Sequence, residues 1–286
     1  MKLEILGSGG AVTTPKPFCK CKSCTEARQG TPKNSRFGPS VFIHGPDILI
    51  DTPEEIFIQL NRSKVTHIAA CFYSHWHPDH TSGKRIFEMN KDWKNYPAKN
   101  KTTTVVLTEK IAETFSKCLS IKSHLDFLAH IGLVKVEIIP NSGKYEVNGY
   151  SVIPVQLGQD FSFGYEIEGF GKRILIVMDE LKFWVPTKEV CSSTYDMIYL
   201  PIGVIDVNPI TNERNIDSNH PVLEDEQTIV ETLEYVSALS SKQFILGHVE
   251  EPDGVTFDMG ERLSLYCSEI TGKNVKVAYD MLEYEI

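Results

Sequence analysis

Short β-rich runs alternate with amphipathic helical patterns along the chain. "KLEIL" (2–6) and "DILID" (47–51) read as strands, and "HIAACFYSH" (67–75) as a buried strand that runs straight into a histidine cluster. "PEEIFIQLNR" (53–62) has helical spacing with proline in its first turn. "TTVVLT" predicts a strand and "EKIAETFSKCL" a helix directly after it. From 133 to 178, "LVKVEII", "YEVNGYSVIPVQL", "FSFGYEIEGF" and "KRILIVM" read as a β-meander with Gly and Asn at its turns. A strand at 195–200, a helix at about 222–239, the strand "KQFILG", a helix at about 255–271 and the strands "VKVAY" and "LEYE" complete the pattern. With no repeat or low-complexity linker, the pattern predicts one α/β domain over 1–286. The polar, Lys/Asn-rich stretch 89–103 reads as an insertion.

Composition narrows the class. A chain of 286 residues, 41% hydrophobic and 23% charged, has the balance of an ordinary globular protein with ample core. Its net charge of -9 argues against tight non-specific nucleic-acid binding, which depends on Lys and Arg neutralising phosphates, although the sequence leaves room for a local basic patch around Lys16 to Lys22. No apolar run reaches the ~18 residues of a membrane span, and "MKLEILGSGG" lacks the apolar core of a signal peptide. Seven cysteines, an odd number with three crowded near the start, fit a reducing cytoplasm better than a disulfide framework.

The chemistry concentrates in "SHWHPDH", residues 74–80. A turn leaving a strand can aim His75 and His77 one way while Asp79 and His80 face a neighbouring point. Imidazole and carboxylate suit Zn, Mn or Fe, and two such ions about 3.5–4 Å apart sharing a hydroxide would hydrolyse phosphoesters or amides. A surface histidine cluster without function is the alternative, but this one follows a buried strand and leads into "HTSG". A second cluster, Cys19, Cys21 and Cys24 in "FCKCKSC", suits a structural tetrahedral Zn with one further ligand; a redox role is the weaker alternative. Cys71, Cys118, Cys191 and Cys267 sit in apolar contexts and read as core, and His44, His67, His124 and His130 as structural.

His75, His77, Asp79, His80 and Gly83 together resemble the His-x-His-x-Asp-His motif of the metallo-β-lactamase-fold hydrolases. The resemblance extends over almost the whole chain, through the Gly-rich "LGSGGA" (6–11), "ILIDT" with Asp51, "ILIVMDE" with Asp179 and "FILGHV" with His248. It implies a four-layer αββα sandwich with a dimetal site at the edge between two sheets. One metal would be held by His75 and His77, the other by Asp79, His80 and His248, with Asp179 bridging; a helix cap is the rival role for Asp179. The histidine expected shortly before "FGY" is absent, and Gly158 stands there. Either two ions bind with the first held weakly, unless Asp160 or Gln159 swings in, or one ion sits at the more complete site.

The cysteine motif, with "SFGYEIE", "SNH" and "AYDM", resembles in particular the phosphoribosyl cyclic phosphodiesterases of phosphonate breakdown; the pyrroloquinoline quinone B-type proteins share the cysteines. Those phosphodiesterases place a histidine as fourth structural ligand where this chain has Glu251, so Glu251 is the expected fourth zinc ligand, with water or another residue as the alternative. His220, in a polar loop, is either solvated or assists the leaving group, and with Asp79 it completes the catalytic candidates. The expectation is therefore a cytoplasmic metal-dependent hydrolase, a phosphodiesterase acting through metal-bound hydroxide on a small cyclic phosphate or nucleotide-like substrate. Zn or Mn is expected at the His/Asp site, and a homodimer accords with the superfamily. The alternatives are another hydrolytic substrate, a lactone or an RNA 3′ end, or a non-catalytic metal- or ligand-binding protein with a degenerate site.

Overall fold

Two seven-stranded sheets face each other in the computed structural model, which describes residues 1–95 and 102–286. In the first, Leu282–Glu285, Lys2–Gly7, Ser40–His44 and Ile48–Ile50 run antiparallel in that order, and the sheet continues in parallel through Ala70–Phe72, Thr103–Thr108 and Val134–Ile139. The second has a parallel half, Val275–Val277, Phe244–Gly247, Met197–Pro201 and Lys172–Ile176, and an antiparallel half, Phe163–Gly169, Tyr150–Gln156 and Tyr145–Val147. Thr194–Tyr195 and Ser240–Ser241 form a small separate pair.

The layering follows from strand alternation. In the run after Lys172, Ile174, Ile176 and Met178 enter the core between the sheets, whereas Leu175 and Val177 enter a second core on the outer face. Met197 and Tyr199 divide from Ile198 and Leu200 in the same way. The helices Ile229–Ala238 and Phe257–Thr271 cover that outer face with Leu233, Val236 and Leu263. Glu109–Lys117 and Ile121–His130 cover the first sheet with Ile111, Phe115, Leu125 and Leu128. Both faces of each sheet are thus buried, giving the four αββα layers.

Several elements depart from the expected pattern. "LVKVEII" does not open the meander: Val134–Ile139 is the parallel edge strand of the first sheet, and the meander begins at Tyr145 with a hairpin. Asn148 and Gly149, both at positive φ (50° and 80°), make its primed turn. The strand expected over 67–75 is confined to Ala70–Phe72, and the helix expected over 53–62 to Ile56–Arg62. The helix expected at about 222–239 is two pieces, Val222–Asp225 and Ile229–Ala238. Thr228 and Glu231 form a capping box that starts the second piece and leaves Glu226 and Gln227 in the break. Of the cysteines read as core, Cys71 and Cys267 are buried, but Cys118 is half-buried and Cys191 exposed. Within the expected insertion, the 3-10 helix Ser82–Asn90 ends at its start, and residues 96–101 lie outside the described residues. Among the described residues no helix is long and apolar enough to cross a membrane.

Candidate metal centre

The parallel halves of the two sheets deliver the site. Chain leaving the carboxyl ends of Ile48–Ile50, Ala70–Phe72, Lys172–Ile176 and Phe244–Gly247 carries Asp51, the 75–80 cluster, Asp179 and His248, at the end of parallel strands where ligands gather in open α/β sheets. Phe163 N–H donates to Ser74 O at 2.9 Å and ties the second sheet to the chain just before the histidines. Pro78 opens the single helical turn Pro78–Thr81, with His77 at its N-cap.

Two groups of side chains converge there. Ligand atoms of His75, His77, Asp179 and Glu180 lie within 4.8 Å of one another, as do those of Asp79, His80 and His248. Asp179 Oδ2 stands between the groups, 3.3 Å from His248 Nε2, 3.7 Å from His80 Nε2 and 3.9 Å from His75 Nε2. That is where a bridging carboxylate belongs. No helix begins at Asp179, which removes its rival role as a cap.

Glu180 is the residue that sequence reasoning missed. Its Oε1 lies 3.4 Å from His77 Nδ1 and 3.9 Å from His75 Nε2. Adjacent residues of a strand point to opposite faces, so Asp179 and Glu180 would not normally share a site. The left-handed backbone of Glu180 (φ 57°) breaks the alternation and brings both carboxylates to the same centre. Gly158 is occupied in a different sense from the one expected: a Cβ there would stand 1.8 Å from Lys182 O and 2.9 Å from Trp184 N. Backbone 182–184 fills the space a side chain at 158 would need. Asp160 does not swing in; its side chain, 71% exposed, pairs with Lys110 at 2.8 Å. The only signal for Glu180 in the sequence is its place beside Asp179 in "MDE".

Neighbours fix the ligand atoms. Asp51, fully buried with a left-handed backbone (φ 63°), accepts from Ser74 N–H at 2.8 Å and from Ser74 Oγ at 2.7 Å. With the Ser74 hydroxyl hydrogen spent on Asp51, His75 Nδ1–H donates to Ser74 Oγ at 3.0 Å. His80 Nδ1–H donates to Asp51 Oδ2 at 2.7 Å. Both rings therefore present Nε2, and second partners of this kind orient histidines for a metal. The Nε2 atoms of His75, His80 and His248 are buried without a hydrogen-bond partner, a costly arrangement for imidazole that a cation would relieve. The donor sets fit divalent metals: two nitrogens with Asp179 and Glu180 on one side, two nitrogens with Asp79 and Asp179 on the other.

The charges are strongly coupled. Burial, reinforced by the neighbouring His80, holds His75 well below the usual histidine range, and burial also lowers His77 against the pull of Asp179. Burial acts to lower His80 and His248, but carboxylates outweigh it: Asp79 and Asp51 raise His80, and Asp179 raises His248 to about 10. Burial acts to raise Asp79 and Asp179; the histidines prevail, and both carboxyls fall below the ordinary range. Glu180 is pushed up to about 8 by burial and then by Asp179.

The cysteine cluster converges on a single atom. Glu251 Oε1 accepts from Cys19 Sγ at 3.0 Å, Cys21 Sγ at 3.3 Å and Cys24 Sγ at 3.4 Å, and Glu251 Oε2 pairs with Lys16 Nζ at 2.5 Å. Three sulfurs and one carboxylate around one point suit tetrahedral zinc. Glu251 lies three positions after His248, and between them Glu250 accepts from Ala11 N–H at 2.9 Å and Val12 N–H at 2.7 Å. The two centres therefore share one stretch of chain. A Cβ at Gly10 would come within 2.3 Å of Glu250 Oε1 and 2.6 Å of His248 Cε1, which explains glycine in "GSGGA".

A cavity of about 380 Å³ adjoins the His/Asp cluster and is lined by His77, Asp79, Asp179 and His248 and also by His220, Glu226 and Gln227. Val222 N–H donates to His220 Nδ1 at 3.1 Å, so the His220 ring hydrogen is on Nε2.

No known protein-family profile matches the chain, and no curated protein matches it in sequence. Solved structures do. Zn-bound PqqB from Methylobacterium extorquens is similar over 100% of both chains, with TM-score 0.73 and 17% identity. A diphosphatase from the PhnP family is similar over 100% of this chain and 97% of its own, with TM-score 0.72 and 20% identity. The metallo-β-lactamase fold protein YhfI from Bacillus subtilis is similar over 99% of each chain, with TM-score 0.66 and 13% identity. The chain has the metallo-β-lactamase fold.

Proposed function

We propose that the protein is a metal-dependent hydrolase of small phosphodiesters. The observation that carries this reading is the convergence of His75, His77, Asp79, His80, Asp179, Glu180 and His248 beside a cavity that His77, Asp79, Asp179 and His248 line, with three buried imidazole Nε2 atoms that make no hydrogen bond. Divalent ions held there, Zn or Mn by the donor set, supply Lewis acidity toward a phosphoryl oxygen and a nucleophilic water at neutral pH. The chain's own residues do the rest. Asp51 and Ser74 hold the His75 and His80 rings in place. His220, an exposed residue that lines the cavity and carries its ring hydrogen on Nε2, is the candidate donor to the departing alkoxide. The Cys19/Cys21/Cys24/Glu251 cluster lies outside the cavity lining and serves structure. The likeness to a diphosphatase lends support from the fold alone.

The test is hydrolysis of bis-p-nitrophenyl phosphate by protein loaded with Mn or Zn. Turnover that His77→Ala abolishes and His220→Ala lowers supports the assignment. Absence of turnover with either metal refutes it.

A further inference from the structure

Glu226 and Gln227 line the same cavity as the metal ligands and bring their own chemistry to it. Glu226 lies in the break between Val222–Asp225 and Ile229–Ala238; its N–H donates to Val222 O at 2.8 Å and its carbonyl accepts from Lys182 Nζ at 3.1 Å. Its carboxylate, which lines the cavity, has neither a hydrogen bond nor an ion pair among the described residues. The adjoining Gln227 also lines the cavity, is 2% exposed, and has an Oε1 with no hydrogen-bond partner. Buried amides and wall carboxylates without partners are costly unless a ligand satisfies them. His220, whose ring hydrogen is on Nε2, lines the same cavity.

No Lys or Arg lines this cavity among the described residues. The nearby cations are committed elsewhere, Lys16 to Glu251 and Lys182 to Glu231 and the Glu226 carbonyl. A second anionic group on a substrate would therefore meet Glu226 without a counter-charge. A purely cationic group would satisfy Glu226 but could not accept from His220 or from the Gln227 amide. Hydroxyl groups do both, since each donates and accepts.

We propose that the cavity selects a phosphate ester whose alcohol carries free hydroxyl groups and no second anionic group, with Glu226 and Gln227 as the specificity-determining residues. The proposal rests on the phosphodiesterase reading for the direction in which the phosphoryl group enters. It sets the chain apart from an enzyme for diphosphates or polynucleotides, whose further phosphates need cationic walls.

The test is calorimetric binding of three monoesters to the Mn-loaded protein: glycerol 1-phosphate, ethyl phosphate and glycerol 1,3-bisphosphate. Glycerol 1-phosphate is expected to bind about tenfold or more tighter than either of the others, the effect of one or two hydrogen bonds to a charged group. Glu226→Gln, which keeps the shape, should erase most of that preference, and Glu226→Lys should turn it toward the bisphosphate. Wild-type protein that binds the bisphosphate as tightly as glycerol 1-phosphate overturns the proposal, as does an unchanged ranking in Glu226→Gln, or no binding of any monoester at millimolar concentration. Turnover of bis-p-nitrophenyl phosphate, measured alongside, separates the two claims: the expected ranking without turnover retains the cavity assignment and removes the hydrolase reading, and turnover without the ranking does the reverse.

Discussion

Gly158→Ala is the smallest change that probes why the first ligand group looks as it does. The added Cβ would lie 1.8 Å from Lys182 O and 2.9 Å from Trp184 N, both backbone atoms that cannot rotate away. Relief requires moving residues 182–184. That segment is anchored: Trp184, 4% exposed, donates its indole N–H to Gln156 O at 3.1 Å, and Lys182 Nζ pairs with Glu231 at 3.0 Å. Overpacking of this kind costs about 1–3 kcal/mol. A 1.8 Å approach to backbone belongs in the middle to upper part of that range, and replacing glycine recovers roughly 0.4–1 kcal/mol from the unfolded chain, so the net loss is about 1–2 kcal/mol. At about 2–4 °C per kcal/mol for a chain somewhat smaller than this one, the expected fall in melting temperature is about 2–8 °C. The same displacement pulls on Glu180, two residues before Lys182, and should weaken metal binding by the His75/His77 group. The assay is thermal unfolding by circular dichroism, run beside metal titration. An unchanged melting temperature with unchanged metal affinity would show that backbone does not fill the space at 158, and the account of Glu180 would fall with it. Gly158→His, which supplies the imidazole that the resemblance leads one to expect, should do worse than alanine for the same reason.

Further consequences are open to measurement. Cys21→Ser should lose one zinc equivalent by elemental analysis and lower the melting temperature; unchanged zinc content would refute a metal at Cys19, Cys21, Cys24 and Glu251. Asp51→Asn removes the carboxylate that holds Ser74 and His80, and should weaken metal binding at the Asp79/His80/His248 group about 10- to 100-fold by calorimetry. The raised His248 sets a pH slope for protein stripped of metal. Its folded value of about 10 exceeds the ordinary 6.5, so its contribution to stability is full below pH 6.5 and is lost as pH rises toward 10. Metal-loaded protein, whose ligands must be deprotonated, should gain stability over the lower part of that range. Parallel pH slopes for the two forms would count against the ligand assignment.

Much of the fold was legible because hydrophobic runs end where chemistry begins. Strand alternation around 174–178 and the burial of Ala70–Phe72 are local properties of the chain. The destination of Val134–Ile139 was not, since a polar-faced edge strand reads the same beside either sheet. The break at Glu226 and Gln227 was visible in principle, through Thr228 and Glu231 in a capping pattern, but the apolar spacing across it imitates one continuous helix. At the site, His75, His77, Asp79 and His80 lie within six positions of one another, so one turn of chain assembles them. Glu180 depends on a left-handed backbone and on the approach of residues 182–184 to Gly158, and neither leaves a mark in composition or spacing. An absent histidine at 158 reads as a missing ligand because the sequence does not show that Glu180 stands beside His75 and His77.

Elemental analysis of wild-type and Glu180→Gln protein, after saturation with Mn and removal of excess, tests the central claim most directly. The account predicts two ions at the His/Asp cluster of the wild type, in addition to zinc at the cysteines, and one ion at that cluster in Glu180→Gln. A wild type with a single ion there, or a Glu180→Gln protein that keeps two with unchanged affinity, would contradict it.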